Sequence, residues 1–319
     1  MIRIGIIGAG PNGTGNAKKL AAQQARCRIA AVADPNREAT QTLAAQFDAA
    51  VATDYRAMLG DVDAVVISSP NFLHAEHAIA CAQAGKHVWI EKPMALTTAD
   101  ADRIVTAVTA AGVRSFIGFS VLFDPAIWKL RELYRAGAVG TLLSLWSRRM
   151  ALFPPAPSGS WRADYRLSGG HITELLAHEL HWIIDVAGMP VSVYCRTASR
   201  TQDDPRANEH VWLTLGFAGV TTGTIEGSQM SPVPDYYRGI VGSTGGLCTG
   251  DWGRQLTWFR GPKEAENVTP LTPFDKYGHF LDVVEGRAPS LADVQVGRTI
   301  VHASERAIES ALTGTVVRL

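Results

Sequence analysis

The 319-residue chain has little cysteine, and the cysteines it has are dispersed. Cys27, Cys81, Cys195 and Cys248 include no CxxC pair, which disfavours a disulfide framework and a cysteine-type zinc site. We therefore expect free thiols in a reducing compartment, and hence a cytoplasmic protein. The first predicted strand begins at Ile2, which leaves little room for the apolar segment of a secretory signal.

Long apolar runs and an excess of one charge are also missing. The apolar runs are strand-sized, well short of the roughly 20 residues that a membrane-spanning helix needs. Lys and Arg together number 30, as do Asp and Glu, so no global charge favours nucleic acid or an anionic membrane. The sequence shows no internal repeat. With 46% hydrophobic and 19% charged residues, it is long enough for two domains with their own cores.

What the chain does contain is an alternation of predicted strands and helices over its first 120 residues. Short apolar runs, typical of buried strands, alternate with amphipathic stretches, at 2–7, 28–33, 64–68, 87–90 and 115–119 for strands and 14–25, 37–47, 73–84 and 98–111 for helices. This alternation predicts an α/β fold with a doubly wound parallel sheet.

The second part of the chain has a different character. A helix near 125–136 and a strand near 141–149 precede residues 191–260, where strand patterns follow one another without helices. Such a run predicts an open, mostly antiparallel sheet, and helices near 273–285 and 291–312 follow it. We therefore predict a dinucleotide-binding domain over 1–120 and an α/β domain over 121–319.

The stretch GAGPNG, from Gly8 to Gly13, fits the G-x-G-x-x-G pattern. It follows the first strand directly and opens a helix, where backbone N–H groups and the helix N-terminus favour a pyrophosphate. Asp34 ends the second strand, where a carboxylate accepts hydrogen bonds from an adenosine ribose and repels a 2′-phosphate. We expect NAD as cofactor. NADP stays an alternative because Arg37 is nearby, although Arg37 also fits a solvated cation at a helix start.

The stretch HITELLAHELHWIID, residues 171–185, places His171, Glu174, His178, His181 and Asp185 on one face of a predicted helix. Five such residues spread over roughly 20 Å, so they cannot share one metal ion. The HExxH zinc pattern is also missed, so we predict no metal site. Spacing alone leaves two readings open, an acid/base wall of a pocket and a packed face satisfied by hydrogen bonds.

Four longer motifs carry a resemblance to a known family. They are SSPNFLHAEHAIACAQAGKHVWIEKPMALT (68–97), GFSVLFDPAIWKL (118–130), WRADYRLSGG (161–170) and the 171–185 stretch. With them the chain resembles the glucose–fructose oxidoreductase/inositol dehydrogenase/MocA family. The resemblance implies a Rossmann domain followed by an open-sheet domain. It also implies reversible hydride transfer between a nicotinamide and a carbinol carbon of a sugar, cyclitol or related polyol.

The resemblance also assigns roles to individual residues. It implies catalytic roles for Lys92, Glu174, His178 and His181. Substrate binding is assigned to Lys92, Trp161, Arg162, Asp164, Glu174 and His178. Cofactor contacts are assigned to Gly8, Gly10, Pro11, Asn12, Gly13, Asp34, Arg37, Ser69, Asn71, His74, Glu91 and Lys92. Histidine is suited to accept the hydroxyl proton near neutral pH, and His178 is the best placed of Glu174, His178 and His181.

Two positions depart from the family pattern. His181 stands where the family often has an aspartate, so the group that assists His178 is open. Val121 and Leu122 stand where basic residues are common, which indicates a less polar substrate pocket. A homodimer or homotetramer through the C-terminal sheet is expected from the resemblance. Two other functions stay open: a non-catalytic dinucleotide-binding sensor, and an enzyme that uses bound NAD for redox-cycled hydrolysis or isomerisation.

Overall fold

The computed structural model describes residues 1–153, 156, 157, 159–199, 207, 209–261, 263–269 and 274–319. The chain divides into two compact units. The first comprises Met1–Gly118 with Asp275–Val301, and the second comprises Phe119–Phe274 with His302–Leu319. The first break therefore lies beside the boundary predicted at residue 120. The contiguous division predicted from the sequence did not include Asp275–Val301 in the first unit.

Strands occur in both units of the described chain. They are β1 (Ile2–Ile7), β2 (Cys27–Ala33), β3 (Ala50–Ala52), β4 (Ala64–Ile67), β5 (His87–Ile90), β6 (Ser115–Ile117), β7 (Leu142–Leu152), β8 (Ser192–Ala198), β9 (His210–Gly216), β10 (Thr222–Ser228), β11 (Met230–Gly242), β12 (Gly245–Gly250), β13 (Gln255–Gly261), β14 (Glu264–Asn267) and β15 (Val317–Arg318).

The helices fill the intervals between strands in the first part of the chain and cluster before β8 and after β14. They are α1 (Pro11–Ala21), α2 (Arg37–Ala44), α3 (His74–Gln83), α4 (Thr98–Ala111), α5 (Pro125–Arg135), α6 (Tyr165–Ser168), α7 (Gly170–Glu174), α8 (Ala177–Ala187), α9 (Lys276–Val284) and α10 (Val294–Thr313). Within the described ranges, no helix combines the length and apolar character that crossing a membrane would need.

The first unit is built on a six-stranded sheet in the order β3-β2-β1-β4-β5-β6, and every pairing in it is parallel. The four residues of β4 are all fully buried, as expected for a strand covered on both faces. This is the predicted doubly wound sheet, and the fold class is confirmed. The strand order reverses between β1 and β4. Dinucleotides bind at this switch point, outside the carboxyl ends of the strands, in sheets of this kind.

Helix α9 packs against the face of this sheet formed by β5 and β6. The ring of Phe280 lies 5.1 Å from the fully buried ring of Trp89, which in turn lies 4.8 Å from Phe116. Arg26, just before β2, forms ion pairs with Asp282 and Glu285. Aromatic packing and charge together fix α9 as a part of the first unit.

The second unit is built on a nine-stranded sheet in the order β14-β13-β12-β11-β7-β10-β9-β8-β15. Among the strands that the structure describes here, only β7 and β10 pair in parallel, and the remaining pairings are antiparallel. This confirms the prediction of a mostly antiparallel sheet. Inward residues such as Val193, Val211, Leu213 and Ile225 alternate along the strands with exposed ones, which is the pattern of a sheet covered on one face.

Candidate functional site

At two positions of the glycine loop after β1, there is no space for a side chain. Gly8 has φ +100°, and a Cβ there would lie 2.6 Å from the Ser68 carbonyl oxygen. A Cβ on Gly13 would lie 1.8 Å from the Gly8 carbonyl oxygen. A Cβ on Gly10 meets nothing within 4 Å. Gly8 and Gly13 therefore hold the turn close to β4, while Gly10 leaves open space in front of it.

The start of α1 fits an anion. Gly10 is the N-cap residue and supplies no side-chain cap, and Pro11 occupies the first turn. Backbone N–H groups at the start of a helix carry partial positive charge and need a partner, which a pyrophosphate provides. The loop thus fits the diphosphate of NAD. Pro11 and Asn12 are exposed on this turn.

Asp34 is placed at the carboxyl end of β2, as expected. One carboxylate oxygen accepts the Ala9 N–H at 2.8 Å, and the other accepts the Asn36 N–H at 2.8 Å. These bonds fix the carboxylate beside the glycine loop and leave lone pairs for a ribose hydroxyl. Arg37 is exposed at the first position of α2.

The segment after β4 is held by two histidines. The Ser69 hydroxyl lies 2.9 Å from Nδ1 of His77. His74 is buried, with Nε2 at 2.8 Å from the Ser69 carbonyl oxygen and Nδ1 at 2.7 Å from the Pro93 carbonyl oxygen. Burial lowers the pKa of His74. These contacts fit a supporting role that joins the ends of β4 and β5, and direct contact of His74 with the cofactor stays a prediction. Asn71 is buried in the same segment.

Glu91 and Lys92 directly follow β5. The Glu91 carboxylate accepts the Asn16 side-chain N–H at 2.9 Å and the Trp89 indole N–H at 3.1 Å. It lies against Gly118, where a Cβ would come within 2.7 Å of both carboxylate oxygens. Lys92 is partly exposed at this carboxyl edge. Within the Glu-Lys-Pro motif, Glu91 is therefore held in place by hydrogen bonds, and Lys92 is partly exposed to solvent.

In the second unit, the 171–185 stretch is not the single helix predicted. It forms α7 and α8, which are separated at Leu175 and Leu176. Leu176 is fully buried and packs against Gly227 of β10, where a Cβ would come within 2.4 Å of the leucine side chain. The prediction of one continuous polar face is therefore wrong, because this packing interrupts it.

His178 and His181 both lie on α8 and both contact Phe119. The His181 ring stacks on Phe119 with centroids 4.3 Å apart and an interplanar angle of 16°. The His178 ring meets Phe119 edge-on, at 6.2 Å and 76°. His181 is 2% exposed, and burial lowers its pKa to about 4. His181 is thus neutral near pH 7, which fits packing better than proton transfer.

The remaining predicted substrate residues form two local clusters. Glu174, at the end of α7, pairs with Arg162 at 3.2 Å, and the Arg162 guanidinium lies 4.4 Å from the Trp161 ring centroid. Asp164 caps α6 and pairs with Arg166, which lowers the pKa of Asp164. The structure therefore brings Trp161, Arg162 and Glu174 together. Asp185 pairs instead with Arg131 at 2.6 Å.

A buried ion pair in this unit was missed by the sequence reasoning. Glu179 and Arg238 are both fully buried and form two hydrogen bonds of 2.8 Å. Ser147 donates a further hydrogen bond to Glu179. Burial raises the pKa of Glu179, but Arg238 and the other donors outweigh it and the net shift is downward. One signal was available: Glu179 lies beside Leu180, Trp182 and Ile183, and an acid in an apolar helix needs a partner.

No cluster of three or more His, Cys, Asp or Glu side chains that could hold a metal ion occurs among the residues that the structure describes.

The geometry of the first unit defines a dinucleotide-binding protein, because the glycine loop lies at the switch point and Asp34 follows the neighbouring strand. Residues 2–119 match a family described as "Oxidoreductase family, NAD-binding Rossmann fold", and residues 127–248 match "GFO/IDH/MocA C-terminal domain". The chain belongs to the GFO/IDH/MocA family, and NAD is its cofactor.

Individual relatives are consistent with this assignment. A 2,7-anhydro-N-acetylneuraminate hydratase of Mediterraneibacter gnavus is 29% identical over 248 residues, which cover 76% of this chain and 65% of the relative. An inositol 2-dehydrogenase of Acidothermus cellulolyticus is 36% identical over 192 residues, which cover 58% of this chain and 54% of the relative. The chain thus spans less than two thirds of the length of either curated relative.

The fold is shared with solved structures over nearly the whole chain. A levoglucosan dehydrogenase solved in complex with NADH superposes with a TM-score of 0.90 at 20% identity, covering 99% of this chain and 98% of that one. At this identity the likeness establishes the fold only.

Proposed function

We propose that the protein is an NAD-dependent oxidoreductase that transfers a hydride between nicotinamide and a carbinol carbon of a sugar, cyclitol or related polyol. The observation that carries the proposal is the glycine cradle of Gly8 and Gly13 beside Asp34, in a chain of this family. The Glu-Lys-Pro motif after β5 and His178 on α8 supply the groups that the chemistry needs. The inositol 2-dehydrogenase relative acts on the same class of substrate.

The nicotinamide of NAD, when bound, accepts or returns the hydride. In the oxidising direction the substrate C–H bond breaks, the O–H proton must leave, and a carbonyl forms. The family resemblance supports two assignments: His178 as the group that accepts this proton, and Lys92 as a hydrogen-bond donor to the substrate. In this proposal Trp161, Arg162 and Glu174 bind substrate hydroxyls and carbons. Asp164, which pairs with Arg166, is also proposed to bind substrate.

An activity screen tests the proposal. Purified protein is assayed against sugars, inositols and dihydrodiols, with NAD and NADP in parallel, and the absorbance of NADH or NADPH is followed. We expect turnover with at least one polyol and formation of NADH. Tight NAD binding with no turnover across the panel would favour the non-catalytic sensor instead.

We propose NAD(H) as the better cofactor over NADP(H). The Asp34 carboxylate at the end of β2 repels the 2′-phosphate of NADP(H). Exposed Arg37 could pair with that phosphate and is the feature that favours NADP(H). A fluorescence titration with both reduced cofactors decides this point. Tighter binding of NADPH than of NADH would contradict the proposal.

A second candidate is a redox-cycled reaction in which bound NAD is reduced and then reoxidised within one turnover. The observation that favours it is the 29% identity to a 2,7-anhydro-N-acetylneuraminate hydratase. The two candidates differ in one measurable quantity. A dehydrogenase releases one NADH for each substrate consumed, whereas a redox-cycled enzyme consumes substrate, followed by chromatography, without accumulating NADH.

We also propose a cytoplasmic homo-oligomer that assembles through the sheet of the second unit. The outward side of this sheet exposes Tyr194, Trp212, Tyr237, Val241 and Phe259, at 36–46% of their surface. Apolar surface of this kind is typical of protein interfaces. Sedimentation should show a dimer or tetramer, and Trp212→Arg with Tyr237→Arg should shift it toward monomer. A monomeric wild-type protein would contradict the proposal.

A further inference from the structure

Lys276, the first residue of α9, places a half-buried cation in the first unit. Its ammonium lies 4.9 Å from the centroid of the Trp89 ring and 5.1 Å from that of Tyr277. Burial lowers the pKa of Lys276, while the charge of Glu91 opposes that shift. The net shift of the pKa is downward. The two ring faces and the carboxylate act against it and favour the charged form of the lysine.

The start of α9 is fixed, so this charge has a defined position. Asp275 caps the helix and accepts a hydrogen bond from the Gln23 side chain at 2.7 Å. The Tyr277 hydroxyl donates to Asn16 at 3.1 Å, and Asn16 in turn donates to Glu91 at 2.9 Å. A chain of hydrogen bonds therefore connects α9, α1 and the carboxyl end of β5.

The position of Glu91 in the sheet indicates which half of the cofactor lies near the charges of Glu91 and Lys276. Glu91 follows β5, which lies in the β4-β5-β6 half of the sheet. In doubly wound sheets of this order, the two halves of a dinucleotide lie on opposite sides of the switch point, and Asp34 marks the adenosine half. Glu91 and Lys276 thus belong to the nicotinamide half.

We propose that Lys276 and Glu91 set the preference of the site for the reduced or oxidised cofactor. The nicotinamide ring of NAD⁺ carries one positive charge, and that of NADH carries none. Lys276 therefore disfavours NAD⁺ relative to NADH, and Glu91 favours it. This inference rests on the proposed function, and it adds a determinant of reaction direction in a helix that is remote from the glycine loop in sequence.

The expected size of the effect follows from Coulomb's law. Two unit charges roughly 10 Å apart, at an effective dielectric constant of about 20 to 40, change a binding constant by roughly four- to fifteenfold. The ratio Kd(NAD⁺)/Kd(NADH) should fall by this factor in Lys276→Met and rise in Glu91→Gln. Packing changes alone would alter both Kd values together and leave the ratio unchanged.

The experiment measures both Kd values by titration calorimetry on the full-length protein. Lys276→Arg keeps the charge and should keep the wild-type ratio. Lys18→Met removes an exposed lysine of α1 and is the matched control, with an expected change below about twofold because exposed charges are screened. The double variant Glu91→Gln with Lys276→Met should return close to the wild-type ratio.

The outcomes separate this inference from the proposed function. If wild-type protein binds neither NAD⁺ nor NADH, the proposed function fails. If both bind but Lys276→Met leaves their ratio unchanged, or shifts it no more than Lys276→Arg does, the inference is overturned. Should Lys276→Met not fold, Lys276→Gln and Glu91→Gln give the same two comparisons, and unchanged ratios in these variants overturn it equally.

Discussion

His178 and His181 lie one turn apart on α8, and Phe119 contacts both rings in different orientations. We expect His178→Ala to lower kcat by roughly 10²- to 10⁴-fold, because it removes the proposed proton acceptor. The Kd for NAD should not change, since the glycine loop belongs to the other unit. Steady-state kinetics with the substrate found in the screen measure this. If His178→Ala kept wild-type kcat from pH 6 to 9 while His181→Ala did not, the two roles would be reversed.

His181 itself should act on stability. Its pKa is about 4 in the folded protein and about 6.5 when unfolded, so the unfolded state binds more protons between these values. Stability is therefore complete above the unfolded pKa and falls as pH decreases from about 6.5 toward 4, by about 3 kcal/mol. His181→Phe keeps a stacked ring and should remove this share of the pH dependence in urea unfolding. An identical pH dependence in wild type and variant would contradict a neutral buried His181.

Glu179 and Arg238 form the other residue-scale feature with a large expected effect. Glu179→Gln leaves the Arg238 charge buried without its partner and should cost about 3–5 kcal/mol of unfolding free energy. Arg103→Gln is the control, because Arg103 pairs with Asp100 on the surface and such pairs contribute about 1 kcal/mol or less. Urea unfolding of both variants tests the difference. Equal, small losses would show that the buried pair stabilises no more than an exposed one.

The glycine loop and α1 contain three glycines that differ in the space around them, so alanine at each position should have a different effect. Gly13→Ala should prevent native packing of the loop, because the new Cβ would overlap the Gly8 carbonyl oxygen. Gly10→Ala meets no protein atom within 4 Å, so the melting temperature should fall by no more than the small cost of alanine at a helix N-cap. Its methyl group, however, occupies the space expected for phosphate. Binding of NADH should therefore weaken at least tenfold. Gly15→Ala, also in open space on α1, is the control and should bind normally.

The sequence predicted most of the elements of the first unit, because each is specified locally. Helix α4 was predicted at its observed bounds, and Thr97 caps its start while Gly112, at φ +63°, ends it. Strand β3 was missed because Ala50–Ala52 is short and mostly exposed. The break between α7 and α8 was missed for another reason. It depends on Leu176 packing against Gly227, about fifty residues away, which no local periodicity reveals.

The candidate site was predicted unevenly for the same physical reason. Gly8, Gly13 and Asp34 follow from strand ends and a turn, which are local patterns. The contacts of Lys276 and Tyr277 with Trp89 of β5 depend on the return of the chain after more than 180 residues. Only tertiary packing brings these groups together. Lys92 and His178 were assigned by resemblance, and their joint role stays a prediction.

At the scale of the whole molecule, the first unit is discontinuous in sequence. A fragment of residues 1–120 lacks α9, so the faces of Trp89 and Phe116 that Phe280 covers would be exposed. We expect this fragment to aggregate or to unfold without cooperativity. A chain in which residues 1–118 are joined to 275–301 by a flexible Gly/Ser linker should melt cooperatively and bind NADH. Circular dichroism and titration test both chains, and a stable 1–120 fragment would contradict the assignment of α9.

The discontinuity of the first unit also determines when this unit can fold during protein synthesis. The glycine loop, Asp34 and Glu91 leave the ribosome early, but the unit becomes complete only after Val301, when all strands from β7 to β14 have already been made. During that interval the apolar surface around Trp89 has no α9 to cover it. Chaperones should therefore bind nascent chains between residues 120 and 275 in particular, and NAD should stabilise the chain only late in translation.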